Sequence, residues 1–82
     1  MTYRYVSDRL LGVKLNGQAL KAIRERSGLS QSELARATGL SQGRISELES
    51  ESPNIRPSTS KALADALKVP VVALLVDEPV AS

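Results

Sequence analysis

The chain has 82 residues, of which 41 % are apolar and 24 % charged, with a net charge of +2. That is ordinary globular composition at the length of one domain. With no Cys and no His, a disulfide scaffold, a zinc site of the usual nitrogen and sulfur ligands, and any mechanism needing a Cys nucleophile or a His base are excluded.

A chain this short hides only about 60 % of its unfolded surface, so its fold must be compact or supported by a partner copy. Phe and Trp are absent and there are two Tyr, which leaves Leu, Ile, Val and Ala to build the core and favours helices. Arg4, Asp8 and Arg9 interrupt every early apolar run, so no signal peptide is expected and a cytoplasmic protein is. The longest apolar stretch, Val69 to Val76, is too short to span a bilayer. Residues 1–64 carry ten Lys/Arg against six Asp/Glu, and residues 65–82 one against three. One end is mildly basic and the other mildly acidic, which alone names no partner.

In chain order, residues 1–15 read as an N-terminal arm. Tyr3 and Tyr5 alternate with Arg4 and precede Val6, Ser7-Asp8 reads as a turn, and Leu10 to Leu15 is a second apolar segment broken by Gly12. The pattern is that of an extended arm or a short hairpin. The domain proper is expected over 16–76. Asn16 caps a first helix carrying Leu20 and Ile23, which ends at Gly28. Ser30 to Glu33 forms a capping box, and the second helix runs to about Thr38, where Gly39 stops it. Ser41 caps a third helix with Ile45 and Leu48 on one face. Pro57 opens a fourth, with Leu63, Ala64, Ala66 and Leu67 inward, and Pro70 a fifth, carrying Val71, Val72, Leu74 and Leu75. Residues 77–82 are expected to fray.

The informative stretch is residues 31–50, QSELARATGLSQGRISELES. It reads as two short helices joined by a turn. Leu34, Ile45 and Leu48 are apolar anchors, Ala35 is small where the helices approach, Gly39 permits the left-handed turn, and Leu40 plugs the space between them. An ordinary αα-hairpin in a bundle has the same spacing. The outward residues argue against it. Ser41, Gln42, Gly43 and Arg44, followed by Ser46 and Glu47, place an amide, a bare glycine and a guanidinium on one surface, a set suited to hydrogen bonding with base edges.

These residues, with RPS at 56–58 and KALADALKVPVVALL at 61–75, resemble the lambda-repressor-like, or xenobiotic-response-element, family of helix-turn-helix regulators, which includes phage repressors and Cro proteins. The resemblance covers roughly residues 15–75. It implies an all-α domain of five helices preceded by the short arm, with the third helix in the major groove of double-stranded DNA. By position it implies that Gln42 reads a base, that Gly43, Arg44, Ser46 and Glu47 line the groove, and that Gln31 binds a phosphate and braces Gln42. Ser30 and Ser41 offer hydroxyls and helix N-termini to phosphates, and Asn54 and Arg56 touch the backbone from the following loop. It further implies an ion pair between Arg24 and Glu49. Two departures stand out: Glu51 lies close to the expected DNA face, and Glu47 is acidic there, fit either to accept from cytosine N4 or to repel phosphate.

The expected function is a phage-type repressor or Cro-like regulator binding a palindromic operator as a homodimer. The apolar run with Val71, Val72, Leu74 and Leu75 is expected at the dimer interface, because a helix apolar on all sides wants burial on all sides. An antitoxin with a toxin partner, a restriction-modification controller, and a protein-interaction module without DNA binding are the other readings. No spacing among the remaining Ser, Lys, Asp and Glu points to catalysis, so no enzyme, cofactor or metal is expected.

Overall fold

The computed structural model describes residues 12–76. Residues 1–11 and 77–82, which hold the Tyr3/Tyr5 part of the expected arm and the expected frayed tail, lie outside the described residues. The elements are β1 (Val13–Lys14), α1 (Gly17–Arg26), α2 (Gln31–Thr38), α3 (Gln42–Glu51), β2 (Asn54–Ile55), α4 (Pro57–Leu67) and a 3₁₀ turn over Val71–Leu74.

Side chains cap the starts of the first three helices. Asn16 accepts from the Ala19 N–H at 3.1 Å, Ser30 from Glu33 at 3.0 Å and Ser41 from Arg44 at 3.0 Å, so each cap satisfies an otherwise orphaned donor. Glu33 completes the box by accepting from the Ser30 N–H at 2.8 Å. Pro57 occupies the first turn of α4, where no N–H is needed. Gly39 closes α2 at φ 80°, a left-handed conformation that glycine adopts without a Cβ clash. Ser52 and Lys68 hold similar conformations, at φ 49° and 59°, after α3 and α4.

Helix α3 packs against both α1 and α2, and α4 against α2 and the 3₁₀ turn. Leu15, Leu20, Leu34, Ile45, Leu48, Leu63 and Leu74 are fully buried at the centre. Burying a Leu or Ile side chain contributes roughly 1.5–3 kcal/mol, so this all-aliphatic cluster carries the fold.

Two features differ from the sequence expectation. The fifth helix is a single 3₁₀ turn of four residues, because the chain is diverted into extended pairing as soon as Leu74 is buried. Leu75 bridges Leu15 in antiparallel fashion, and the Val76 N–H donates to the Lys14 carbonyl at 3.0 Å. Leu74 is 0 % exposed, so it belongs to the protein's own core and is removed from the expected dimer interface. The strand-like character of the segment before Leu15 is satisfied from elsewhere: Val13–Lys14 pairs antiparallel with the distant Asn54–Ile55 in the register Val13 to Ile55 and Lys14 to Asn54, so it belongs to the helical domain.

Candidate nucleic-acid interface

The N-terminal turns of α2 and α3 share one polar surface. The Gln42 Nε2 amide donates to Gln31 Oε1 at 3.4 Å, and the Ser32 hydroxyl donates to Gln42 Oε1 at 3.3 Å. Gln31 Nε2 in turn donates to Glu49 Oε1 at 3.0 Å. Glu49 is buried and receives Arg24 Nε at 2.6 Å and Nη2 at 3.2 Å. Arg24 also donates to the Leu29 carbonyl at 2.7 Å. An exposed amide on α3 is thus tied through Gln31 to an ion pair between α1 and α3. Every buried side-chain nitrogen and oxygen among the described residues has a partner, so the charges are compensated as burial requires. The hydrogen bond from Arg24 to Glu49 raises the guanidinium pKa further above its ordinary value, against the opposing effect of burial.

Gln42 keeps one amide hydrogen and one oxygen lone pair uncommitted. That is the donor and acceptor pair that adenine N7 and N6 require in the major groove. Beside it Gly43 is exposed, and a Cβ there would meet nothing within 4 Å. Arg44 Nη1 donates to Glu47 Oε1 at 2.8 Å, and Ser46 is exposed. The hydroxyls of Ser30 and Ser41 accept in the caps and leave their own protons free.

The far end of α3 is fixed differently. Ser52 Oγ accepts from the Gly17 N–H at 2.9 Å, and Lys14 Nζ donates to the Ser52 carbonyl at 2.9 Å. A Cβ on Gly17 would collide with the backbone carbonyl oxygens of Leu48 and Glu49, so the start of α1 lies directly on the end of α3. Among the described residues no group of His, Cys, Asp and Glu could hold a metal ion, and no helix is long and apolar enough to cross a membrane.

A helix-turn-helix family model matches residues 20–74, from within α1 to the end of the 3₁₀ turn. The chain belongs to the lambda-repressor-like helix-turn-helix family. It is 38 % identical over 60 residues to the HTH-type transcriptional repressor RghR of Bacillus subtilis (strain 168), a match covering 72 % of this chain and 44 % of that protein. The chain therefore spans less than half the length of that relative. Among solved structures it is similar to the restriction-modification controller protein C.AhdI from Aeromonas hydrophila, with a TM-score of 0.68 and 32 % identity over 72 % of this chain and 89 % of the other. It is also similar to the clp gene regulator ClgR from C. glutamicum, with a TM-score of 0.64 and 32 % identity over 68 % of this chain and 73 % of the other.

Within this helix-turn-helix frame the residues singled out from sequence fall into two groups. Ser30, Gln31, Ser41, Gln42, Gly43 and Arg44 lie in or before the first turns of α2 and α3, with Ser46 and Glu47 one turn further along α3. Asn54 and Arg56 are exposed but lie beyond the other end of α3, in β2 and at the N-cap of α4. A helix of ten residues separates the groups by roughly 15 Å. Ser32 was not anticipated, although its place beside Gln31 in the first turn of α2 is a usable signal. Gly17 and Ser52 were also missed, since only the packing of α1 on α3 shows why they are needed.

Proposed function

We propose that the chain is a sequence-specific repressor of transcription, of the phage-repressor or Cro-like kind, that binds a palindromic operator in double-stranded DNA as a dimer in the cytoplasm. In this reading α3 enters the major groove. Gln42 reads adenine, and Gly43, Arg44, Ser46 and Glu47 line the groove. Ser30, Gln31 and Ser41 meet phosphates at the helix N-termini, and Asn54 and Arg56 do so from the β2 side.

The observation that carries the reading is the anchoring of Gln42. A surface glutamine ordinarily samples many rotamers, and ordering such a side chain costs up to about 2 kcal/mol. Here Gln42 is braced by Gln31 and Ser32, and Gln31 by a buried ion pair. Fixing a polar tip in advance cuts the entropic cost of reading a base. A controller of a restriction-modification system is the second reading. The TM-score of 0.68 to such a controller favours it, and it uses the same surface.

Selection from a random duplex pool tests the function. The expected consensus is an approximate palindrome with half-sites about 10 base pairs apart, bound with a steep salt dependence. Recovery of no preferred sequence would count against both readings.

A further inference from the structure

Helix α3 is poorly suited to phosphate. Its ten residues include one base, Arg44, and three acids, Glu47, Glu49 and Glu51. Glu49 is buried and bonded to Arg24. The exposed charges are therefore Arg44 against Glu47 and Glu51. Arg44 and Glu47 are paired across one turn at 2.8 Å, with side chains 38 % and 47 % exposed. Such a pair stabilises a helix only slightly, so stability is a weak reason for an acid at this position. Duplex DNA carries one negative charge per roughly 1.7 Å of its axis. A carboxylate on the helix that meets it opposes docking unless it does something there.

We infer, building on the operator-reading function above, that Glu47 is a positioning residue that sets specificity: it holds the Arg44 guanidinium so that Arg44 reads a guanine and not a phosphate. The guanidinium has five N–H donors, and Glu47 takes one. The others are enough for the paired bonds to guanine O6 and N7. Attraction to phosphate is long-range and blind to sequence, and the adjacent carboxylate largely cancels it. Directed hydrogen bonds to a base edge survive that cancellation. The backbone beneath Arg44 is fixed too, because its N–H donates to Ser41 Oγ at 3.0 Å.

The test uses the full chain, the operator it selects from a random pool, and an unselected duplex. Glu47→Gln, Arg44→Ala and the double variant are compared by fluorescence anisotropy across a salt series, with thermal melting as a check on folding. Glu47 is exposed, so the variants are expected to fold. Glu47→Gln should bind the unselected duplex several-fold more tightly and steepen the salt slope by about one unit. It should also weaken the preference for one guanine in each half-site by about tenfold. Arg44→Ala should lose preference at the same guanine, and the double variant should discriminate no worse than Arg44→Ala alone. Unchanged preference and unchanged non-specific affinity in Glu47→Gln would overturn the inference. So would loss of a cytosine preference at a position that Arg44→Ala leaves intact, because Glu47 would then read a base by itself. A wild-type chain that selects no sequence would remove the operator-reading function itself, an outcome distinct from either of these.

Discussion

Arg24 and Glu49 lie 25 residues apart in the chain, yet they share two hydrogen bonds, of 2.6 and 3.2 Å, between α1 and α3. Their side chains are 9 % and 4 % exposed. Truncating one partner strands the other charge in a poorly hydrated place. Arg24→Ala and Glu49→Ala should each cost roughly 3–5 kcal/mol, against less than about 1 kcal/mol for an exposed pair. Equilibrium unfolding in denaturant decides, and losses near the lower figure would show that the pair is not a structural tie.

Gly17 and Gly43 predict opposite results for one substitution. Gly17→Ala drives a Cβ into the carbonyls that end α3, and rigid backbone atoms cannot move aside cheaply, so it should destabilise by more than about 2 kcal/mol. Gly43 has open space around it and sits in a helix, where glycine is up to about 1 kcal/mol worse than alanine. Gly43→Ala should raise the melting midpoint by at most about 4–8 °C while weakening operator binding, because the missing methyl serves close approach to DNA. A stabilised variant with undiminished binding would remove that role.

The Glu33 carboxylate accepts from the Ser30 N–H, and that hydrogen bond lowers its pKa below the ordinary 4.5. A carboxylate depressed in the folded state contributes stability that is fully present above the unfolded pKa and is lost as pH falls through the folded value. The melting midpoint should therefore drop as pH is lowered from 4.5, and Glu33→Gln should flatten that part of the profile. Identical acid profiles for the two proteins would show that the capping box contributes nothing to acid stability.

Val72 and Leu74 separate a surface role from a core role. Val72 is 77 % exposed and Leu74 is 0 % exposed. Of the apolar run expected at a dimer interface, Val72 and the half-buried Val71 and Leu75 remain at the surface. Val72→Asp should leave the melting midpoint within a few degrees and shift sedimentation from dimer to monomer. Leu74→Asp should abolish folding. A folded Val72→Asp dimer would place the interface elsewhere.

Much of the fold was legible because its signals are local. Asn16, Ser30 and Ser41 mark helix starts through side-chain chemistry within three residues, and Gly39 marks a stop by its conformation. The last turn was not legible. Val71 to Val76 has the apolar content of a helix, and only the distant Leu15 and Lys14, which take Leu75 and Val76 into extended pairing, show why it stops after four residues. For the same reason the β1–β2 pairing escaped, since nothing near Val13 names Ile55 as its partner. At the candidate site, Gln31 and Gln42 stood out by residue type and position. The role of Ser32, and the pairing of Glu47 with Arg44, depend on rotamers that spacing alone does not fix.

Gln42 is the base-reading side chain on which operator recognition turns in the proposed function. The direct measurement is selection from a random duplex pool with the wild type and with Gln42→Ala, whose melting should match because Gln42 is exposed. Gln42→Ala should lose preference for one adenine in each half-site, worth about 1–3 kcal/mol, and keep the others. Retention of every wild-type base preference by Gln42→Ala would contradict it.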